Sequence, residues 1–168
     1  MIATTDESSS MSQTPRCSLS ALTASVWGLS FGIVHVAWSL GSRFGLHDAA
    51  AADAAFEQTW FHLYNLTVAV ASFVAAAAAL LLASPRPTWS RLAWAVACTA
   101  GALLFVRGAI GAAELAFLTA TDGARGPLRA WAVDGYMLGG GSVFLLAAWR
   151  APRPAWRDRS PGTGTCPR

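Results

Sequence analysis

Charged residues are scarce in this sequence, and lysine is absent altogether. Charged residues make up 12% of the 168 residues, and about a quarter is usual in a soluble globular domain. Hydrophobic residues make up 54%, and the mean hydropathy is +0.43. The composition therefore argues against an ordinary soluble surface and indicates that lipid surrounds much of the chain.

Cysteine and histidine are also few, and their spacing does not match a known metal site. The three cysteines, Cys17, Cys98 and Cys166, are far apart and form no C-x-x-C pair, which disfavours a disulfide framework or a zinc site. The histidines lack the H-E-x-x-H and E-x-x-H spacings of metalloproteins. We therefore predict no metal site and no cofactor, and we rank a catalytic function below a binding or a structural one.

The net charge of +3 comes from twelve arginines set against nine acidic residues. These arginines form no basic face and belong to no nucleic-acid recognition motif. They cluster beside apolar segments, as the positive charges of membrane proteins do. We therefore predict no nucleic-acid partner and interpret the charge as a marker of membrane topology.

Four apolar segments are each long enough to cross a bilayer, which takes about 20 residues in a helix. The segments cover roughly 20–41, 59–83, 92–119 and 129–149. The stretch 42–58 between the first two is mixed in character. The sequence thus predicts an all-α fold, a four-helix transmembrane bundle that occupies residues 20–150.

The arginines predict the orientation of this bundle, because cytoplasmic flanks of membrane helices retain more positive charge. Seven arginines flank one side of the predicted bundle, namely Arg16, Arg86, Arg91, Arg150, Arg153, Arg157 and Arg159, and three flank the other, namely Arg43, Arg125 and Arg129. We therefore predict a multi-pass protein of the cell membrane with both termini in the cytoplasm. The tails 1–19 and 151–168 are polar, or rich in arginine and proline, and are predicted to be disordered.

Each predicted span also carries polar side chains that share one helix face or one depth. The candidate ligand-binding residues are His35, Trp38, His62, Asn65, Arg107, Glu114, Asp134 and Tyr136. With both termini inside, these residues fall in the outer half of the membrane, except Arg107, which lies near the midplane. We expect His35 and His62 to face the bundle interior, close to each other and to Glu114 or Asp134.

A charged side chain inside a membrane costs on the order of 3 kcal/mol unless it is paired or hydrated. Arg107 therefore requires a carboxylate, and both Glu114 and Asp134 are available. Two functions stay open: an outward-facing polar pocket that binds a small molecule or a lipid headgroup or passes protons, and a structural or accessory subunit whose polar residues only fix helix packing. The lipid bilayer is the expected partner, and the sequence identifies no protein partner.

The segment HVAWSLGSRFGL resembles the opening motif of a family of small actinobacterial four-helix membrane proteins that is catalogued as a domain of unknown function. Members of this family end their first span with a His-x-x-Trp-x-x-Gly pattern, matched here by His35, Trp38 and Gly41. Residues 127–149 also resemble the last span of the family. The resemblance covers about residues 20–150 and implies a four-helix integral membrane fold, without implying an activity.

Overall fold

The computed structural model describes residues 19–46, 49–84, 90–122 and 128–151, and these ranges contain five α-helices and no strand. The helices are α1 (Leu19–Ser39), α2 (Ala49–Phe56), α3 (Thr59–Leu82), α4 (Ser90–Asp122) and α5 (Leu128–Arg150). The predicted all-α fold is confirmed. The tails that were predicted to be disordered, 1–19 and 151–168, lie outside the described residues except for Leu19 and Ala151.

Four of the helices, α1, α3, α4 and α5, are long and apolar enough to cross a membrane. Their ends lie within a few residues of the four predicted spans. The helix α4 differs most, because its 33 residues extend about 50 Å at 1.5 Å per residue, and the hydrocarbon core of a bilayer is only about 30 Å thick. A helix of that length has to tilt in the bilayer or project from it.

The four long helices pack as a ring in the order α1, α3, α4, α5, and neighbours run antiparallel. The most extensive packing joins α1 to α3 and α4 to α5. In the first pair, Gly28 packs against Ala76, and His35 meets Asn65 closer to the end of α1. This register brings residues that are distant in the chain to the same level of the bundle.

Small side chains fill the end of the bundle at which α1 and α4 begin, which we call the alanine end. Its buried cluster surrounds Phe144, whose exposed fraction is 0%. The other members are Ala21, Ala24, Ala75, Ala79, Ala97, Ala147 and Ala148. In lipid, helices associate through close packing of small residues because the hydrophobic effect no longer drives them together. This end is therefore held by van der Waals contact.

Glycines bring the backbones of α4 and α5 together along much of their length. A Cβ atom added to Gly101 would lie 3.1 Å from the Gly141 carbonyl oxygen, and one added to Gly141 would lie 2.6 Å from the Phe105 nitrogen. Such spacing leaves no room for a side chain at either glycine. Within the triple glycine of α5, Gly141 thus serves close helix packing, whereas Gly139 faces open space.

At the opposite end, which we call the α2 end, the chain leaves α1 through a turn that needs two glycines. Gly41 has a φ of 86° and Gly45 a φ of 77°, and only glycine adopts such values without steric cost. Trp38 donates its indole hydrogen to the Phe44 carbonyl oxygen at 2.7 Å and so closes the turn.

The short helix α2 lies within the stretch 42–58, for which the sequence indicated no helix. Its sequence AAAADAAF consists mainly of alanine, the residue with the highest helix propensity, but its eight residues are too few to span a bilayer. An ion pair between Arg43 and Asp53, both exposed, joins α2 to the preceding turn. A search for membrane-length segments overlooks a helix of this kind.

Candidate functional site

His35, near the end of α1, is buried against Asn65 of α3. His35 is 5% exposed and Asn65 is 1% exposed, and His35 Nδ1 lies 2.7 Å from Asn65 Oδ1. The Asn65 amide nitrogen donates to the Phe61 carbonyl oxygen at 2.8 Å, which assigns the orientation of the amide. An amide oxygen only accepts hydrogen bonds, so His35 carries a hydrogen on Nδ1.

Three aromatic rings surround His35, and one of them belongs to Trp38, another of the predicted site residues. The ring centroid of His35 lies 4.5 Å from that of Phe31, 4.9 Å from that of Trp38 and 6.4 Å from that of Tyr64. All three contacts are edge-on, the geometry that aromatic rings favour. Trp38 therefore packs against His35 with its ring and closes the Gly41 turn with its indole nitrogen.

His62, in the first turn of α3, contacts the C-terminal ends of two other helices. Its Nδ1 lies 2.8 Å from the carbonyl oxygen of Ser39, the last residue of α1. Its Nε2 lies 2.9 Å from the carbonyl oxygen of Phe56, the last residue of α2. Carbonyls in the last turn of a helix have no partner within the helix, so the imidazole ring of His62 lies within hydrogen-bonding distance of an acceptor at the end of α1 and of another at the end of α2.

Both ring nitrogens of His62 therefore face groups that can only accept a hydrogen bond. A neutral imidazole has a single N–H group and satisfies one carbonyl, whereas an imidazolium has two N–H groups and satisfies both. Either form keeps His62 bonded to the backbone of a neighbouring helix. The role of this residue in the fold is to join helix ends.

Arg107 of α4 pairs with Asp134 of α5, which decides between the two carboxylates that the sequence offered. Arg107 Nη1 donates to Asp134 Oδ1 at 3.1 Å. The two side chains differ in burial, because Asp134 is 7% exposed and Arg107 is 60% exposed. The carboxylate is thus held inside the bundle, and much of the guanidinium faces outward.

Two glycines of α4 make room for Asp134. A Cβ atom on Gly108 would lie 2.8 Å from the Asp134 carbonyl oxygen, and one on Gly111 would overlap the Asp134 carboxylate. The same Cβ atom on Gly111 would lie 2.6 Å from Arg107 Nη1. The guanidinium of Arg107 therefore reaches about one helical turn, roughly 6 Å, towards the α2 end.

Glu114 is exposed on α4 and belongs to the same helix face as Arg107, from which it is seven residues distant. It lies three residues beyond Gly111, which corresponds to about 4.5 Å along the helix axis. Among the described residues, Glu114 forms no ion pair and no side-chain hydrogen bond. The outer face of α4 therefore presents a guanidinium and, further towards the α2 end, a carboxylate.

Tyr136 of α5 contacts α1 rather than either histidine. Its hydroxyl lies 3.2 Å from Ser30 Oγ, and its ring stacks on Trp27 at a centroid distance of 4.8 Å. The indole nitrogen of Trp27 is buried and has no hydrogen-bond partner among the described residues. This aromatic contact joins α1 to α5 at a level deeper in the bundle than His35.

Ser30 lies within residues 28–32, GLSFG, which match the G-x-S-x-G pattern of hydrolase nucleophile elbows. That motif requires a sharp turn between a strand and a helix, but these residues lie inside α1. Ser30 donates to the Trp27 carbonyl oxygen at 2.8 Å and meets Tyr136, and no histidine of the described ranges is bonded to it. The match therefore does not indicate a catalytic serine.

The eight predicted site residues thus divide into separate contacts at the α2 end rather than forming one cluster. His35 meets Asn65 and Trp38, whereas the ring nitrogens of His62 meet backbone carbonyls and its ring contacts Phe56 and Phe61. Within the described part of the chain, no hydrogen bond, ion pair or ring contact joins His35 to His62, or either of them to Glu114 or Asp134. In the same ranges, no three His, Cys, Asp or Glu side chains lie close enough to hold a metal ion.

No protein-family model, curated protein or solved structure matches this chain. Membership of the actinobacterial family, argued above from His35, Trp38 and Gly41, therefore stays a prediction.

Sequence reasoning missed two features of the site. One is the pair of backbone carbonyls, at Ser39 and Phe56, that bind His62; no sequence pattern marks such partners. The other is the pair Gly108 and Gly111 that accommodates Asp134. Gly108 follows Gly101 by seven residues and Gly111 follows Gly108 by three, so all three glycines lie on one face of α4. This spacing is the signal that could have revealed the contact with α5.

Proposed function

We propose that the protein spans the cell membrane four times, with both termini in the cytoplasm and the α2 end outside. Four membrane-length helices make an even number of crossings, so the start of α1 and the end of α5 lie on the same side of the membrane. The seven-to-three distribution of flanking arginines supports the cytoplasm as that side. A reporter active only outside the cytoplasm should give a signal when fused after residue 50 and none after residue 168, and the reverse result would contradict the orientation.

We further propose that this protein binds the phosphate group of a lipid headgroup, or a small phosphate-bearing molecule, at Arg107. The observation that carries this proposal is the 60% exposure of an arginine side chain within a membrane-length helix. A guanidinium has five N–H donors, and only one hydrogen bond, to Asp134, is formed among the described residues. Unpaired donors are costly in lipid, and phosphate oxygens accept several of them at once.

Asp134 supports such a site by positioning the cation. Its carboxylate is enclosed between α4 and α5 over Gly111, and it binds one edge of the guanidinium. The opposite edge is left for a second acceptor. Since the ion pair also lowers the cost of keeping Arg107 in the membrane without a ligand, the site can exist before the ligand binds.

The test compares Arg107→Gln with Arg43→Gln, because Arg43 is an arginine at the α2 end that is paired with Asp53 outside the long helices. Each protein is purified in mild detergent, and its bound lipids are identified by native mass spectrometry. We expect phospholipid to stay on the wild type and on Arg43→Gln and to be lost from Arg107→Gln. Equal retention by all three proteins would refute the site.

A second measurement separates the two sources of phosphate. Delipidated protein is titrated with inorganic phosphate and, separately, with a short-chain phospholipid, and the increase in the unfolding temperature is recorded. Stabilisation by the phospholipid alone identifies a lipid headgroup, whereas stabilisation by both identifies a small phosphate-bearing ligand. No stabilisation by either one contradicts the proposal.

A structural role is the second candidate, and the division of the polar residues favours it. His35 and Asn65 join α1 to α3, and Arg107 and Asp134 join α4 to α5. Replacing both partners of a buried ion pair by hydrophobic residues is often neutral. If the double variant Arg107→Leu/Asp134→Leu restores the stability that each single substitution loses, and retains the same lipids as the wild type, the pair only fixes helix packing.

A further inference from the structure

We propose that the group bound at Arg107 is the zwitterionic headgroup of phosphatidylethanolamine, with its amine bound by Glu114. This inference rests on the proposed function, because it assigns the phosphate of the lipid to Arg107. It adds a second contact to the site and, with it, a selectivity among phospholipids.

The order of the two charges along α4 matches the order of the charges in this headgroup. The guanidinium of Arg107 lies at the level of Gly111, and Glu114 follows about 4.5 Å further towards the α2 end. In phosphatidylethanolamine the phosphate is attached to glycerol and lies deeper, and the amine follows two carbons further towards water. With the α2 end outside, phosphate therefore meets Arg107 while the amine meets Glu114.

The rest of this helix face is suited to the lipid's acyl chains. Leu103 and Ile110 share the face with Arg107 at spacings of four and three residues, and they are 67% and 60% exposed. Leu103 lies on the deeper side of Arg107, where an acyl chain would pass below the phosphate. One stripe of α4 thus presents an apolar surface, a cation and an anion in the order in which a phospholipid presents its own parts.

Glu114 also gives a reason why the site should prefer one phospholipid headgroup over another. The ammonium of phosphatidylethanolamine has N–H groups that donate to a carboxylate, and such charge-assisted hydrogen bonds are the strong ones. The choline headgroup has a positive charge but no N–H group, and the glycerol headgroup has hydroxyl donors but no positive charge. Binding should therefore be strongest for ethanolamine, because only that headgroup offers Glu114 a positive charge and hydrogen-bond donors in one group.

The experiment titrates purified, delipidated protein with short-chain phosphatidylethanolamine, phosphatidylcholine and phosphatidylglycerol, and measures binding by native mass spectrometry. We expect the wild type to prefer the ethanolamine lipid over the glycerol lipid by about tenfold, the difference between a charged and a neutral hydrogen bond. Glu114→Gln should bind all three lipids with little preference. Glu57→Gln is the matched control, because Glu57 is exposed outside the long helices, and it should keep the wild-type preference.

The outcomes separate this inference from the proposal on which it depends. If Arg107→Gln abolishes binding of every lipid but Glu114→Gln keeps the tenfold preference, Arg107 binds phosphate and the assignment of the amine to Glu114 is wrong. If Arg107→Gln binds all the lipids as the wild type does, both proposals fail. If no lipid binds and Glu114→Gln converts a dimer to a monomer, this face of α4 is an interface between two copies of the chain, which also overturns the inference. Circular dichroism of each variant establishes that the helices are intact.

Discussion

The two ends of the bundle hold the same four helices together by different means. At the alanine end, Phe144 packs among alanines, which have no hydrogen-bonding side chain, and Trp94 donates to the Ala148 carbonyl oxygen beside them at 3.1 Å. At the α2 end, His35 pairs with Asn65 and Arg107 with Asp134. Each polar group at the α2 end has a specific partner on the facing helix, so these pairs help to set the register of the helices.

The buried groups at the two ends also differ. The alanine cluster has no hydrogen-bonding side chain, whereas at the α2 end the buried Asp134 holds Arg107, which is exposed with Glu114 on the outer face of α4. In the proposed orientation, the alanine cluster lies on the cytoplasmic side and this polar group on the outer side.

The largest effect should come from Gly111→Leu, because this residue combines the close packing of one end with the polar pairing of the other. Any side chain at position 111 overlaps the Asp134 carboxylate and displaces Arg107. Overpacking together with a broken buried ion pair should reduce the free energy of unfolding by about 3 kcal/mol or more. Unfolding in a detergent mixture, followed by circular dichroism, measures the loss.

The control is the same substitution at Gly139, where an added Cβ atom meets no atom within 4 Å. Gly139→Leu should be neutral or slightly stabilising, since leucine favours a helix more than glycine does by about 0.8 kcal/mol. Equal losses at both positions would show that the fit around Asp134 is not what makes Gly111 necessary.

The next largest effect should be a difference in stability between the variants that remove one or the other partner of the ion pair. Arg107→Leu leaves the Asp134 carboxylate, 7% exposed, buried without a cation, at a cost of about 3 kcal/mol. Asp134→Leu leaves an arginine that is already 60% exposed and can reach water or phosphate, so it should cost less than half as much. Unfolding measurements on the two single variants and on the double variant form a double-mutant cycle, which gives the interaction energy between Arg107 and Asp134. Equal losses would contradict the difference in burial.

Asn65→Ala should have an intermediate effect, because it removes the acceptor for the hydrogen that His35 carries on Nδ1. An unsatisfied buried donor costs about 1–3 kcal/mol. Thr67→Ala is the control on the same helix, since Thr67 is exposed and bonds only to the Leu63 carbonyl oxygen one turn earlier, and it should change stability by less than about 0.5 kcal/mol. If the two variants unfold alike, the contact between His35 and Asn65 does not stabilise the bundle.

The sequence predicted the membrane helices well and the partners of their polar residues poorly. Apolar length alone determines the spans, because a bilayer admits few structures other than helices of about 20 residues. A shared depth, however, leaves several partners for each polar group. Arg107 had two carboxylates available, and the choice depends on Gly108 and Gly111, which let α5 approach closely enough to bring Asp134 beneath the guanidinium.

The two histidines also show that the sequence does not identify the partners of polar side chains. The sequence correctly placed His35, which is 5% exposed, inside the bundle, because His35 shares one helix face with Ser39 and Ser42. It also grouped His62 with His35 by depth, but His62 binds the carbonyl oxygens of Ser39 and Phe56. Every residue has a carbonyl oxygen, so no pattern of side chains predicts which one a histidine will contact. The existence of α2, which ends at Phe56, was itself not predicted.

The smallest effect on overall stability, and the most local one, should come from His62→Ala. This substitution removes the cap from the C-terminal ends of α1 and α2, at a cost of about 1 kcal/mol. Since α2 has little other packing and its ion pair between Arg43 and Asp53 is exposed, the loss should appear mainly in α2. Hydrogen exchange should therefore speed up for Ala49–Phe56 while the amides of the alanine end stay protected. His62→Gln, whose amide can still donate to one of the two carbonyls, should restore part of the protection. Faster exchange at both ends of the bundle would contradict the separation between them, because it would mean that the cap stabilises the whole bundle rather than the α2 end.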